Sequence, residues 1–457
     1  MTPQLIYNHS IEDSDIHNLC EDLVQYSDIA PKYYERFDVK RGLRNADGSG
    51  VIAGITRICM VHGYVMSEGE RQPIPGQLIY RGYDINDLIE NAEREDRYVF
   101  EEVAYLLLFG RLPNGADLER MTRSLGVRRE LPPGFLVDSI MQSPSNNIMN
   151  KLARSILSLY SYSDVTENTT IEDEMSIALD LIAKMPILMD GAYQAKRHKY
   201  DNASLIMHPL RPEENTAESI LSLIRNDRSY TKAEAQLLDT LLALHADHGG
   251  GNNSTFACRV ATSSGTDPFA AYTSAINSLK GPRHGGANIK VIQMLDDIKA
   301  HVAHWENEGE VADYLTKILR KEANDGSGLI YGMGHAVYTM SDPREVILKE
   351  RAKHLAYEKG FEEEYNMLCS IERLAPDIFA EEKGSSKPVC ANVDLFSGLI
   401  YNMLGISEDI YTPLFAIARV PGWCAHRVEE VIFANRIIRP AYKYLGVRQK
   451  YKPIEER

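Results

Sequence analysis

What the sequence lacks already narrows the classes of protein it can represent. No run approaches the roughly 18 apolar residues of a membrane-spanning helix, and the six cysteines are scattered without a Cys-x-x-Cys pair. Scattered cysteines indicate reduced thiols rather than a disulfide framework. Residues 1–23 are acidic and polar, which is typical of neither a secretory signal nor a transit peptide. We therefore expect a cytoplasmic protein with no membrane partner.

A basic surface is also missing from this chain of 457 residues, whose formal net charge is −15. Non-specific nucleic-acid binding needs a basic footprint, so we expect no nucleic-acid partner. A small anionic substrate remains compatible with this balance, because a few arginines can dominate one pocket. The length allows a large core and more than one domain.

The apolar residues recur mostly at the spacing of an α-helix. Val99, Val103, Leu106 and Leu107 recur at intervals of three and four, and the stretch 267–282 has an Asp-Pro start and a Gly-Pro stop. Similar patterns predict helices around 171–189, 234–246, 288–299, 344–357 and 396–404. The β-branched, glycine-bounded segment 50–65 predicts one short hairpin. The fold class is therefore all-α, with a short N-terminal β-hairpin. Polar stretches near 321–328 and 380–388 flank a helical block, which suggests a second domain inserted into the first.

The stretch YGMGHAVYTMSDPR, residues 331–344, has the composition of half a pocket for a small acid. His335 follows two glycines, which permit a close approach of the backbone to another group. Asp342 and Pro343 read as the cap and first residue of a helix. Arg344 then falls in the first turn, where free N–H groups already favour an anion.

The stretch HADHGGGNNSTF, residues 245–256, places His245 and His248 on one face of a helix end. The two histidines can contact a ligand, or simply be satisfied groups at a helix stop, which is the more frequent case. A zinc pair is the weakest interpretation, because no acidic or sulfur ligand follows at metal spacing.

Two further stretches carry groups suited to proton transfer. His284 lies in a turn beside a helix N-terminus, where an imidazole stays neutral and can donate a hydrogen bond to a developing enolate oxygen. Asp394 begins an amphipathic helix, where a carboxylate stays ionised and can act as a base. A structural turn histidine and a simple helix cap are the alternatives.

Arg419 and Arg439 belong to the stretch 418–442, and guanidinium groups bind carboxylates in bidentate fashion. Solvation at the surface is the alternative for each.

The order of these motifs resembles the citrate synthase family. Gly-Pro-x-His-Gly-Gly-Ala-Asn is followed by Gly-x-Gly-His-x-Val with Asp-Pro-Arg, by Asn-Val-Asp-x-x-Ser-Gly, and by Ala-Arg-x-x-Gly-Trp-x-Ala-His. The similarity runs from about residue 75, where Tyr-Arg-Gly-Tyr-Asp matches another family segment, to Tyr442. It implies an almost wholly helical homodimer, with a large domain of residues 1–286 and 396–457 and a small domain of residues 287–395.

The resemblance also implies an activity: an acyltransferase of the tricarboxylic acid cycle that joins acetyl-CoA and oxaloacetate into citrate and CoA. Asp394 would remove the methyl proton, His284 would bond the thioester oxygen, and His335 would polarise the ketone. The substrate carboxylates would be held by His248, Arg344, Arg419 and, from the neighbouring subunit, Arg439. No metal or prosthetic group is expected.

Members of this family often have a basic residue at the position of Thr339, where it contacts a CoA phosphate. Thr339 departs from that pattern. Arg283, Lys383 and Lys387 are the candidate CoA contacts instead. Two alternatives stay open: a 2-methylcitrate synthase acting on propionyl-CoA, since one methylene is worth only about 1–3 kcal/mol of discrimination, and a helical scaffold without activity.

Overall fold

The computed structural model describes residues 20, 21, 23, 29–45, 49–68, 70–167, 169–384, 388–433 and 436–456. These residues form two compact units, one comprising Ala53–Ile438 and the other Met1–Ile52 with Arg439–Arg457. In the smaller unit, the described residues form α1 (Lys32–Arg36) and the 3₁₀ helices Arg41–Leu43 and Ile454–Glu456.

Helices make up nearly all of the regular secondary structure in the larger unit, which confirms the predicted fold class. They are α2 (Ile85–Arg94), α3 (Phe100–Phe109), α4 (Gly115–Arg128), α5 (Ile148–Leu159), α6 (Ile171–Tyr200), α7 (Thr216–Ile224), α8 (Lys232–His245), α9 (Asn253–Ser263), α10 (Pro268–Leu279), α11 (Ala287–His301), α12 (Glu308–Leu319), α13 (Pro343–Lys359), α14 (Glu362–Lys383), α15 (Asp394–Met403) and α16 (Tyr411–Phe433). Short helices cover Leu136–Met141, a π-helix, and the 3₁₀ turns Tyr160–Tyr162 and Glu408–Ile410. No described helix is long and apolar enough to span a membrane.

The predicted hairpin exists, but it lies further along the chain than residues 50–65. Strands β1 (Cys59–Ser67) and β2 (Glu70–Tyr80) pair antiparallel, and β3 (Tyr83–Asp84) adds a short third strand. Residues 51–56 are exposed and belong to no strand. Their β-branched side chains suggested a strand, but a strand also needs a partner, and the partner β2 pairs with residues 59–67 instead.

Helix ends follow the capping signals in the sequence. Asp267 caps α10 and Asp342 caps α13, each through its side chain, as predicted. Helix α6 extends to Tyr200, well beyond the predicted end at 189, and it contains Pro186. The lost hydrogen bond at a proline costs helix stability, but burial of the surrounding turns compensates for that cost.

Helix α16 is the central helix of the larger unit and packs against α3, α6, α8, α9 and α10. Leu414, Ile417, Val420 and Trp423 are buried along it. The predicted small domain lies wholly within this unit, together with residues 53–286 and 396–438 of the predicted large domain. The division at 287–395 stays a prediction.

A buried ion pair joins α16 to α6. The Arg427 guanidinium donates from Nε and Nη2 to the two Glu174 carboxylate oxygens, at 2.8 Å each, and both side chains are buried. Removing one partner of such a pair leaves an uncompensated buried charge.

We therefore expect Glu174→Ala to lower the free energy of unfolding by about 3–5 kcal/mol. Urea denaturation followed by circular dichroism measures this change. The matched control is Glu119→Ala, which removes an exposed helical pair with Arg123 and should cost no more than about 1 kcal/mol. Equal losses in both variants would contradict the assignment of stability to the buried pair.

Candidate active site

The glycine-rich loop before α13 pairs with the segment that leads into α15. The Gly334 N–H donates to the Cys390 carbonyl at 2.7 Å, and the Asn392 N–H donates to the Gly332 carbonyl at 2.8 Å. Gly332 and Gly334 have φ of +81° and +91°, a region that side chains disfavour. These glycines are therefore needed for the pairing itself, and the close approach of His335 to a ligand stays a prediction.

Because of this pairing, His335 and Asp394 lie just beyond two hydrogen-bonded segments, although 59 positions separate them in the sequence. The Asn392 side chain adds a further link by donating to the Gly334 carbonyl at 2.8 Å. The imidazole and the carboxylate are thus held on one local framework.

The backbone fixes the tautomer of His335. The N–H groups of Val337 and Tyr338 donate to its Nδ1, at 3.1 and 3.0 Å. A backbone N–H can only donate, so Nδ1 is an acceptor and the neutral ring carries its proton on Nε2. The Tyr338 ring stacks on the imidazole at 4.5 Å between centroids, and the His248 ring meets it edge-on at 5.0 Å.

Asp394 is the first residue of α15, and its N–H donates to the Asn392 side chain at 3.0 Å. Burial raises the pKa of this carboxyl to about 6, while the positive charges of Arg344 and Arg419 lower it and Asp342 raises it. A carboxylate with this pKa is mostly ionised at pH 7, and its value is close to the pH at which it must accept a proton.

His284 lies in the turn between α10 and α11 and is neutral near pH 7. Burial, followed by the charge of Arg419, lowers its pKa to about 4. The Ser254 N–H donates to Nε2 at 3.3 Å, so the proton of the neutral ring is on Nδ1. The sequence predicted a neutral ring because of the helix that follows, but the N–H group that contacts it comes from α9 and burial is the main cause.

Ser254 and Trp423 support His284, and neither had a role in the sequence analysis. The Ser254 hydroxyl lies 3.1 Å from Nε2 of His284 and accepts a hydrogen bond from the Trp423 indole N–H at 3.2 Å. Both residues fall within the quoted motifs. Their relation is invisible in the sequence, because it depends on the packing of α9 against α16.

Arg344 is buried and paired within its own helix turn. Its Nε and Nη2 donate to the two Asp342 carboxylate oxygens at 3.0 and 2.7 Å. Burial alone would raise the pKa of Asp342, but the charge and hydrogen bonds of Arg344 lower it. Asp342 is thus both the predicted helix cap and a counter-ion that the sequence analysis did not foresee.

Arg419, on α16, is fully buried and largely unpaired. Its Nε donates to the His245 carbonyl, and its guanidinium lies 4.8 Å from the centroid of the Phe415 ring. Neither Nη1 nor Nη2 has a hydrogen-bond partner among the described residues. Buried donors without partners are costly, and a planar carboxylate is the group that best satisfies two of them together.

The two histidines at the end of α8 differ in their surroundings. His245 is hydrogen-bonded through Nδ1 to the Leu241 carbonyl at 2.9 Å, and burial lowers its pKa to about 3. Nε2 of His248 is buried without a described partner, and burial followed by the charge of Arg344 lowers the pKa of that ring well below its usual value. Across the described ranges, no three His, Cys, Asp or Glu side chains are grouped to hold a metal ion.

The remaining predicted residues lie apart from this cluster or cannot be related to it. Arg283 is exposed, next to His284 in the chain, and Lys383 is exposed at the end of α14. Lys387 lies outside the described residues. Arg439 belongs to the smaller unit. Their binding roles stay predictions.

Comparison with known proteins identifies the family of this chain. The family model for the citrate synthase C-terminal domain matches residues 46–441. A curated citrate synthase from Haloferax volcanii is 33% identical over 92% of this chain and 99% of its own length. Citrate synthase 2 of Bacillus subtilis is 36% identical over 84% of this chain and 94% of its own length.

A curated 2-methylcitrate synthase from Shewanella oneidensis is 33% identical over 83% of this chain and 92% of its own length. Among solved structures, citrate synthase from Thermoplasma acidophilum, in a ternary complex with carboxymethyl coenzyme A and oxaloacetate, superposes with a TM-score of 0.74. It is 27% identical, over 92% of this chain and 99% of that one. The family match covers far more than half of the sequence, and the chain therefore belongs to the citrate synthase family.

Proposed function

We propose that the chain is a citrate synthase that condenses acetyl-CoA with oxaloacetate and hydrolyses citryl-CoA to citrate and CoA. The observation that carries this proposal is the link of Asp394, His284 and His335 to one buried guanidinium. Beyond the effect of burial, the charge of Arg419 lowers the pKa of both Asp394 and His284, and the ring of His335 contacts His248, whose pKa Arg419 also lowers. Each of the three groups has the protonation state or tautomer that the chemistry requires, and the family and the Thermoplasma complex support the same substrates.

The first step forms a carbon nucleophile from the thioester methyl group. Asp394 accepts the methyl proton, and the electron pair of the broken C–H bond moves onto the thioester oxygen. That oxygen accepts a hydrogen bond from Nδ1–H of His284. Because His284 is neutral with its Nε2 already occupied by the Ser254 N–H, it is a fixed donor that needs no reorganisation as charge develops.

The second step joins the nucleophile to the ketone carbon of oxaloacetate. The proton on Nε2 of His335 faces the ketone oxygen in this proposal, polarises the carbonyl, and stabilises the alkoxide. The alkoxide then takes up one proton to become the hydroxyl of citryl-CoA, which balances the proton that Asp394 removed from the methyl group and later releases. Water then cleaves the thioester bond, giving citrate and free CoA thiol. Closure of the 287–395 domain over the other would keep water out until the carbon–carbon bond has formed.

Charge balance favours a third arginine in the site. Oxaloacetate brings two negative charges to a region that already contains the carboxyl groups of Asp342 and Asp394. Arg344 is paired with Asp342, so Arg419, whose Nη groups have no described partner, is the main cation left for the substrate. Arg439 from the neighbouring subunit would supply the missing charge, which makes a homodimer part of the catalyst.

We further propose that the enzyme works in the cytoplasm and needs no cofactor beyond its two substrates. Arg283, Lys383 and Lys387 are the candidate contacts for the CoA phosphates, since Thr339 cannot provide a positive charge.

The acyl substrate could be acetyl-CoA or propionyl-CoA, because a 2-methylcitrate synthase is among the relatives. An enzyme for propionyl-CoA would run the same steps with one additional methyl group on the nucleophilic carbon.

Asp394→Asn should lower kcat by about 10²–10⁴-fold, because the amide cannot accept the methyl proton. A thiol-release assay measures turnover, and calorimetry should show that oxaloacetate still binds. The matched control is Asp87→Asn, at an exposed position of α2, which should leave kcat unchanged. Equal turnover by the Asp394→Asn variant and the unmodified enzyme would instead favour a non-catalytic scaffold or another base.

The pH profile of kcat/KM for acetyl-CoA should fall on the acid side, with a midpoint near pH 6. The base must be ionised, so activity is lost as pH falls through the Asp394 pKa of about 6. His284, whose pKa is about 4, stays neutral over that range and should add no second limb above pH 5. A flat profile between pH 5 and 8 would argue against Asp394 as the base.

Acetyl-CoA should be preferred over propionyl-CoA by about 10–200-fold in kcat/KM, the range expected for a pocket that discriminates one methylene group. Both acyl-CoAs are assayed side by side with saturating oxaloacetate, and omission of oxaloacetate controls for simple thioester hydrolysis. A preference for propionyl-CoA would assign the chain as a 2-methylcitrate synthase.

A further inference from the structure

Three buried side chains on one face of α16 each donate a hydrogen bond to the segment 245–254. Arg419 donates to the His245 carbonyl, Trp423 donates to the Ser254 hydroxyl at 3.2 Å, and His426 lies 3.0 Å from an Asp247 carboxylate oxygen. All three have a relative exposure of 0%. The first two contacts belong to the site described above, whereas the third involves a buried pair that the proposed reaction does not use.

The neighbours of His426 determine which ring nitrogen faces Asp247. Nε and Nη2 of Arg259 lie 3.1 and 2.8 Å from Nδ1 of His426. A guanidinium can only donate, so Nδ1 accepts, and the ring proton is on Nε2, directed at Asp247. Arg259 is itself held by ion pairs with Glu429 and Glu430. The orientation of the His426 ring is therefore fixed by Arg259, on the side opposite Asp247.

Asp247 is a fully buried, ionised carboxylate. Burial works against its charge, but His426, Arg419 and the Gly249 N–H together hold its pKa at about 2. One carboxylate oxygen accepts from His426, and from the Gly249 N–H at 3.2 Å. The other oxygen, Oδ1, is buried without a hydrogen-bond partner among the described residues. These two contacts therefore hold the carboxylate through one oxygen only.

The carboxylate of Asp247 lies over Gly422, between Arg419 and His426 along α16. A Cβ atom at Gly422 would stand 2.7 Å from Oδ1 of Asp247 and 2.3 Å from the Ala246 carbonyl oxygen. Only glycine allows this approach. Asp247 therefore has one possible partner a turn earlier on α16 and another a turn later.

Asp247 lies close enough to Arg419 to affect its charge but makes no hydrogen bond to it. Among the charged groups that favour the cationic form of Arg419, Asp247 contributes most, yet no hydrogen bond joins the two, and both Nη atoms of Arg419 lack a described partner. In a buried site, an unpaired carboxylate beside an unpaired guanidinium would form a close ion pair unless another donor held it.

We propose that His426 is a positioning residue that keeps the Asp247 carboxylate off Arg419, so that both Nη groups remain available to a substrate carboxylate. The proposal rests on oxaloacetate as the substrate. It gives Asp247 the role of a nearby counter-charge that supports the cation without occupying its donors, and it gives His426 the role of preventing that counter-charge from competing with the substrate.

The test measures oxaloacetate binding to the full chain by isothermal titration calorimetry, together with KM for each substrate. His426→Leu removes the donor to Asp247 and should weaken oxaloacetate binding by about 10–100-fold, the scale of a hydrogen bond to a charged group. KM for acetyl-CoA, at saturating oxaloacetate, should change less than about threefold. His426→Gln, which keeps an N–H donor at a similar reach, should retain most of the affinity.

The double variant His426→Leu/Asp247→Asn separates competition from loss of packing. An amide at 247 cannot form an ion pair with Arg419, so the double variant should bind oxaloacetate at least about fivefold more tightly than His426→Leu alone. His208→Leu is the control for a histidine replacement, because His208 contacts the Arg225 carbonyl and belongs to no part of the site. It should bind as the unmodified protein does.

Several outcomes would overturn the inference: unchanged affinity in a folded His426→Leu, equal losses in His426→Gln and His426→Leu, or no recovery in the double variant. If circular dichroism shows that His426→Leu does not fold, His426→Asn replaces it, because its shorter amide cannot reach Asp247. Absence of thiol release by the unmodified chain would refute the proposed reaction instead, and calorimetry reports on His426 independently of turnover.

Discussion

Two positive charges buried in one site constrain the rest of this structure. Arg344 and Arg419 both lie in the interior, and each lowers the pKa of the neighbouring imidazole His248. Burying a guanidinium is tolerated only where carboxylates and hydrogen bonds compensate it. Arg344 is compensated fully by Asp342, whereas Arg419 is compensated at a distance. The difference between the two arginines is what makes the site ready for an anion.

Hydrogen bonds from backbone amides set the tautomers of the two histidines. Two amides hold Nδ1 of His335, and one amide at the start of α9 holds Nε2 of His284. The two rings are thus protonated on opposite nitrogens, although both are imidazoles within one site. Because amide positions follow from the fold, the tautomers are set before any substrate binds, which is the pre-organisation expected of groups that stabilise developing charge.

The sequence predicted the helical fold and the starts of α10 and α13, because caps such as Asp267 and Asp342 act within one turn. It misplaced the hairpin, since strand pairing depends on a partner that local composition does not reveal. Motif order brought His284, His335, Asp394 and both buried arginines to attention. No role was predicted for Asp247, Ser254, Trp423 and His426. Their contacts cross 169 and 179 positions of the chain and appear only when α16 packs against the segment from α8 to α9.

Hydrogen bonds between residues 332–334 and 390–392 fix the loop that carries His335 to the segment that leads into Asp394. Asp394, the proposed proton acceptor, and His335, proposed to bind the ketone, share one backbone framework, so any rigid displacement of the predicted 287–395 domain would carry both together at constant separation. His284 is anchored elsewhere, through Ser254 to the central helix. Under the proposed mechanism, the distance from His284 to the other two groups is then the one that such a displacement changes, and enolisation of the acyl group would follow only when that distance shortens.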